Sequence, residues 1–171
     1  EALLNSRVLI VGLGGLGSPV AMYLAAAGVG HLVLADFDTV DVSNLQRQII
    51  HTEARLDQNK AESAATALRE LNPHISLTCI TDRLDDDALQ DAIRNVDLAL
   101  DCTDNFQTRF ALNKACVAAG VPLVSGAAIR LEGQVSVFDT RNPTCPCYRC
   151  LYEEDADETT CAATGVLAPV V

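Results

Sequence analysis

The chain has 171 residues, 49% hydrophobic and 20% charged, a length that the prior of roughly 100–200 residues per domain makes one domain. That composition excludes intrinsic disorder and collagen-like or coiled-coil classes, and it leaves enough apolar chain for one sizeable core. A net charge of −11, without any basic cluster, argues against a nucleic-acid partner.

No apolar run reaches the roughly 20 residues that span a bilayer, and the first residues form no charged-then-apolar leader. A soluble protein is expected. The cysteines number seven. An odd count without a leader points to a reducing, cytoplasmic compartment rather than a disulfide framework.

Arg7 to Val11 is a short continuous apolar run that ends in glycines, the mark of a strand buried on both faces. Ser18 to Ala27 turns to Ala, Leu and Met and predicts a helix, with Gly28 placed to stop it. His31 to Ala35 is a second strand, closed by Asp36. A polar stretch from Asp38 to Arg55 interrupts the rhythm. Helical spacing returns with Ala61, Ala64, Leu68 and Leu71, until Asn72-Pro73 ends it.

Ser76 to Ile80 predicts a strand and Asp86 to Ile93 a short helix, with carboxylates in the turn where the helix dipole favours them. Leu98 to Asp101 is strand, Asn105 to Ala119 helix closed by Gly120, and Leu123 to Ser125 a fifth strand. Glu132 to Asp139 alternates polar and apolar residues, as an antiparallel edge strand does. The alternation predicts an α/β fold: a Rossmann-like, mostly parallel sheet with helices on both faces and that edge strand near the C-terminus.

Gly12-Leu13-Gly14-Gly15-Leu16-Gly17 joins the first strand to a helix. Its glycines allow a tight turn and let phosphate oxygens approach the free N–H groups of the helix N-terminus. Asp36 follows about 20 residues on, where a carboxylate can accept bonds from ribose hydroxyls. Loop and Asp together identify a nucleotide but no reaction, and an NAD(P)-dependent oxidoreductase is the alternative they leave open.

The polar insertion adds Ser43, Asn44, Arg47 and Gln48, and Lys60 opens the next helix. A pyrophosphate of about two charges needs little beyond backbone amides, whereas a triphosphate of about four calls for fixed cations such as Arg47 and Lys60. Asp104 comes just past the fourth strand, in the crevice where open sheets bind ligands, and a lone carboxylate there suits Mg²⁺.

Several motifs together carry a resemblance. They are the glycine loop, the Ser43-Asn44-Leu45-Gln46-Arg47-Gln48 run, Lys60, Asp101-Cys102-Thr103-Asp104-Asn105, Ser125-Gly126-Ala127-Ala128 and Cys147-Tyr148-Arg149-Cys150. With these the chain resembles the ThiF/MoeB family of sulfur-carrier adenylyltransferases, relatives of the ubiquitin-activating enzymes. The resemblance implies a homodimeric enzyme that uses ATP to adenylate the C-terminal glycine of a ubiquitin-like sulfur carrier. That step belongs to molybdopterin or thiamin biosynthesis, and a sulfur-donor protein would follow it.

Position for position, Gly12, Gly14, Gly15 and Gly17 would form the nucleotide turn and Asp36 would hold the ribose. Ser43, Asn44, Arg47, Gln48 and Lys60 would meet the phosphates, Asp104 the Mg²⁺, and Asn105 the nucleotide pocket. Catalysis would fall to Arg47, Lys60, Asp104 and Cys161.

Cys147 and Cys150 form a Cys-x-x-Cys knuckle, half of a structural zinc site. Cys161 matches a family cysteine able to link covalently to the carrier. Cys79, Cys102 and Cys116 read as core residues, and His31, His51 and His74 as surface or packing. Residues 1–171 are expected to form a single adenylation domain without the family's N-terminal segment and its C-terminal zinc- and carrier-binding part.

Overall fold

The computed structural model describes residues 1–129 and 131–153. Six strands form one sheet: β1 (Arg7–Val11), β2 (His31–Ala35), β3 (Ser76–Ile80), β4 (Leu98–Asp101), β5 (Leu123–Ile129) and β6 (Glu132–Phe138). Their order is β3-β2-β1-β4-β5-β6. All neighbours pair in parallel except β5 and β6. The strand order reverses between β2 and β4, on either side of β1, which opens a crevice at the carboxyl ends of the strands.

The strands are short because each is an apolar run bounded by turn residues. Along β1, Val8 and Ile10 face one core, with Ala21, Ala25 and Leu68. Leu9 and Val11 face the other, with Ile93, Phe110 and Leu112. A two-residue period thus feeds two helical layers. Helices α2 (Gly17–Ala26) and α3 (Lys60–Leu71) cover the first core, and α4 (Asp86–Arg94) and α5 (Phe106–Ala119) cover the second.

Caps set the helix boundaries. The Asn59 side chain accepts from the N–H groups of Ala61 and Glu62 at 2.8 and 3.3 Å. Asp85 accepts from Ala88 N–H at 2.8 Å, and Asn105 from Thr108 N–H at 2.9 Å. Gly120 ends α5 in the left-handed region at φ 66°, as a helix-closing glycine does.

Two short helices were not expected from sequence, α1 (Ala2–Asn5) and α6 (Tyr148–Leu151). The second is held by tertiary contact: Tyr148 N–H donates to the buried Asn113 side chain at 2.8 Å. Strand β5 also runs past the expected Ser125 to Ile129, because the antiparallel partner β6 extends its ladder. The polar stretch after β2 folds as two single-turn 3-10 helices, Val42–Asn44 and Glu53–Arg55. Among the described residues no helix is long and apolar enough to cross a membrane.

Candidate active site

The crevice at the carboxyl edge is a real cleft, lined by the loops that follow β1, β2, β3 and β4. Gly12, Gly14, Gly15, Asp36, Arg47, Gln48, Lys60, Asp104 and Asn105 all stand on its walls. Ser43 and Asn44 are not among the lining residues. They build the turn behind Arg47, whose N–H and that of Gln48 donate to the Asn44 carbonyl at 3.1 and 3.0 Å.

Gly17 supports the loop from behind: a Cβ added there would sit 1.9 Å from the Gly12 carbonyl oxygen. Gly12 itself has φ +90°, and a Cβ added there would lie 2.7 Å from the Cys102 carbonyl oxygen. A side chain at either position would push the loop off the sheet.

Asp36 shapes the loop as well as facing the cleft. Its Oδ2 accepts from Leu13 N–H at 2.7 Å and its Oδ1 from Asp38 N–H at 2.9 Å. Burial raises its pKa above the ordinary carboxylate value, although both N–H groups and Lys60 pull the other way. Each oxygen keeps a lone pair for a further donor.

Lys60 is not the solvated charge its sequence context allows. Its side chain is 8% exposed, and its Nζ meets Asp38 Oδ2 at 3.1 Å. The lysine therefore waits on the cleft wall against a half-exposed carboxylate. Gln48 is buried too, and its Oε1 has no hydrogen-bond partner among the described residues.

Sequence reasoning missed a second group. Phe37 and Arg83 line the cleft beside Asp36, with the guanidinium carbon 4.4 Å from the ring centroid, a cation–π pair. Asp82, Leu84, Thr103 and Thr108 complete that wall. Arg83 lies in the loop after β3, three residues past Ile80, so the rule that ligand loops leave the carboxyl ends of strands was the available signal.

Behind Asp104 lies another unanticipated device. Asp101, 1% exposed, accepts from Ser125 Oγ and Thr103 Oγ1, both at 2.7 Å. Arg109, its side chain 11% exposed, donates through Nη2 to the Thr103 carbonyl at 2.6 Å, and its Nε stands 4.0 Å from Asp101 Oδ2. This network braces the 101–105 loop that presents Asp104 and Asn105.

Of the cysteines read as core, Cys116 is buried, but Cys79 is only half-buried, and Cys102 is half-buried and lines the cleft. Burial and the Asp101 carboxylate push the Cys102 thiol up to about 12, so it offers no thiolate at neutral pH. Cys161 lies outside the described residues.

The cleft can hold a metal at Asp104, which is exposed on the wall. One carboxylate completed by phosphate oxygens is the usual magnesium set. The knuckle is a different case. Cys147 and Cys150 Sγ atoms stand 3.6 Å apart, close to the roughly 3.8 Å edge of a tetrahedron with Zn–S bonds of about 2.3 Å. Among the described residues no third His, Cys, Asp or Glu joins them.

Comparison with known proteins agrees with this geometry. The family model described as "ThiF family" matches residues 1–171. The chain is 56% identical over 174 residues to a molybdopterin-synthase adenylyltransferase of Salmonella typhimurium, covering 100% of this chain and 69% of that protein. It is 49% identical over 172 residues to the sulfur carrier protein ThiS adenylyltransferase of Escherichia coli, covering 100% and 68%. A crystal structure of E. coli MccB with ATP superposes with a TM-score of 0.82 at 26% identity. It covers 98% of this chain and 51% of its own, so the chain spans about half the length of that solved structure. Glycine turn, cation pair and whole-length match lead to one assignment: the chain belongs to the ThiF family.

Proposed function

We propose that this protein uses ATP to adenylate the C-terminal carboxylate of a ubiquitin-like sulfur-carrier protein, a step in molybdopterin or thiamin biosynthesis. The observation that carries the reading is the meeting of Arg47, Lys60 and Asp104 on one cleft with the glycine loop. Both relatives with these pathway names are adenylyltransferases. The oxidoreductase alternative draws no support from these relatives, and a dinucleotide leaves the two cations without a task.

Attack by one anion on another needs charge neutralisation more than proton transfer. The loop glycines let phosphate oxygens come close to backbone N–H groups, and Asp36 accepts from the ribose hydroxyls. A carrier carboxylate oxygen then bonds to the α-phosphorus as the bond from that phosphorus to the β-phosphate bridge oxygen breaks. The electron pair leaves with pyrophosphate. Arg47 and Lys60 meet the charge that gathers there, Lys60 exchanging Asp38 for phosphate oxygens.

Magnesium held by Asp104 would supply further neutralisation of the phosphates. Cys147 and Cys150 would provide two thiolates of a structural zinc, and Cys161 a covalent link to the carrier. On the same reading the protein works as a cytoplasmic homodimer and hands the activated carrier to a sulfur donor. The six described cysteines are all free thiols, as a reducing compartment allows.

The test is ATP–pyrophosphate exchange by the intact protein with carriers of both pathways ending in Gly-Gly. Exchange that requires one carrier and is absent with NAD as the sole nucleotide is expected. ATP binding without exchange in the presence of either carrier refutes the proposal.

A further inference from the structure

We propose that His51 is a positioning residue for adenylation, fixing the Leu13–Gly14 peptide so that the Gly14 N–H is offered to a phosphate. This role rests on the adenylation reading above. His51 follows the Arg47–Gln48 turn, its backbone N–H donating to the Gln48 carbonyl at 3.0 Å. Only 4% of its surface is exposed.

The ring bridges two parts of the site. Its Nε2 stands 2.9 Å from the Leu13 carbonyl oxygen and its Nδ1 2.9 Å from Ser63 Oγ. A carbonyl can only accept, so Nε2 carries the proton and Nδ1 accepts from the Ser63 hydroxyl. Ser63 lies on α3, the helix that Lys60 opens. One imidazole therefore ties the cation turn, the lysine helix and the glycine loop together.

The consequence follows from peptide geometry. Among the described residues no peptide bond is cis, and in a trans peptide the carbonyl and the N–H point to opposite sides. With the Leu13 carbonyl turned inward to His51, the Gly14 N–H is turned away from the ring, and Gly14 lines the cleft. On the preceding peptide, Leu13 N–H is held by Asp36 at 2.7 Å. Both peptides flanking Leu13 are thus anchored, one by a carboxylate and one by an imidazole at 2.9 Å, with the Ser18 hydroxyl as a longer donor to the same carbonyl at 3.4 Å. A flip of the second would aim an oxygen at the phosphates.

Burial and the Lys60 and Arg55 charges keep the ring from taking a second proton near neutrality, and Asp36 reaches the loop from its other side. The neutral ring leaves Nδ1 to accept from Ser63 while Nε2–H donates to Leu13.

The experiment compares the intact parent protein with His51→Phe and His51→Gln in carrier-dependent pyrophosphate exchange. Phenylalanine cannot donate to Leu13, whereas the glutamine amide can. The phenylalanine variant should raise the KM for ATP about tenfold, the worth of about one buried hydrogen bond, with the carrier KM unmoved. The glutamine variant should restore it to within about threefold of the parent.

A folded phenylalanine variant with the parental KM for ATP, or equal impairment of both variants, overturns the role. Nitrogen-15 NMR of the parent tests it without any variant: the proton is expected on Nε2 and its signal should move when ATP binds. A proton on Nδ1 overturns the role. Failure of the adenylation reading shows separately, as a parent without exchange.

Discussion

Replacing Lys60 by methionine separates its charge from its packing. The lysine side chain is 8% exposed, so its stem lies under cover, and an unbranched methionine keeps that cover. What disappears is an ammonium 3.1 Å from Asp38 Oδ2. The Asp38 side chain is 54% exposed, so water takes over its solvation, and losing the pair costs the fold about 1 kcal/mol or less. Catalysis should lose far more. A fixed cation facing charge that develops only as pyrophosphate leaves resembles an oxyanion-hole donor, whose removal costs about 10²–10³ in kcat, or roughly 3–4 kcal/mol. The orphaned Asp38 carboxylate repels the same phosphates and acts in the same direction. Exchange at saturating ATP and thermal unfolding, measured on one sample, should show activity lost at least about a hundredfold with the melting point within a few degrees of the parent. Exchange within about threefold of the parent in the folded variant would remove Lys60 from the reaction.

Two glycines of the same loop should answer differently to alanine. At Gly17 the new methyl would lie 1.9 Å from the Gly12 carbonyl oxygen, so the variant should unfold several kcal/mol more easily in urea; parental stability would contradict the geometry. At Gly14 it would lie 3.6 Å from Gln48 Nε2, an ordinary contact. That fold should survive while ATP titration shows weaker binding; an unfolded Gly14→Ala protein would be the wrong result. For Asp101, burial holds the carboxyl above its ordinary value despite Arg109, Ser125 and Thr103. The folded state then holds this proton more tightly than the unfolded chain, so its stability contribution declines as pH rises from the ordinary carboxylate range through the raised value. Asp101→Asn should remove that decline, so that parent stability relative to the variant falls as pH rises from the ordinary carboxylate range in urea titrations; a constant or rising difference would refute it.

Strand and helix order is legible in this sequence because apolar runs such as Arg7–Val11 and His31–Ala35 are short, continuous and bounded by glycine or a carboxylate. The carboxyl-edge rule then brings Asp36 and Asp104 near the glycine loop from the order of the elements alone. What stays hidden depends on pairings across the sheet. Phe37 and Arg83 meet because β2 and β3 are neighbours with Ala35 opposite Ile80, an adjacency that no local pattern encodes. His51 reads as packing because its partner is a backbone carbonyl 38 positions earlier. The Asp101–Arg109 pairing was equally silent: a mostly covered guanidinium one helical turn into α5 looks like any surface arginine until Thr103 and Asp101 fold against it. Ser43 and Asn44 show the reverse, a motif whose side chains stand off the cleft wall while the Asn44 carbonyl organises the turn.

Among the described residues, those at the opposite edge of the sheet are not part of the cleft walls. There the chain merely reverses, through Gly28 after α2 and Gly120 after α5, where an added Cβ would meet nothing within 4 Å. Catalysis and chain reversal thus occupy separate margins of one scaffold. Lengthening or regrafting those far turns is a route by which descendants of this architecture can drift in size and surface while the chemistry stays intact.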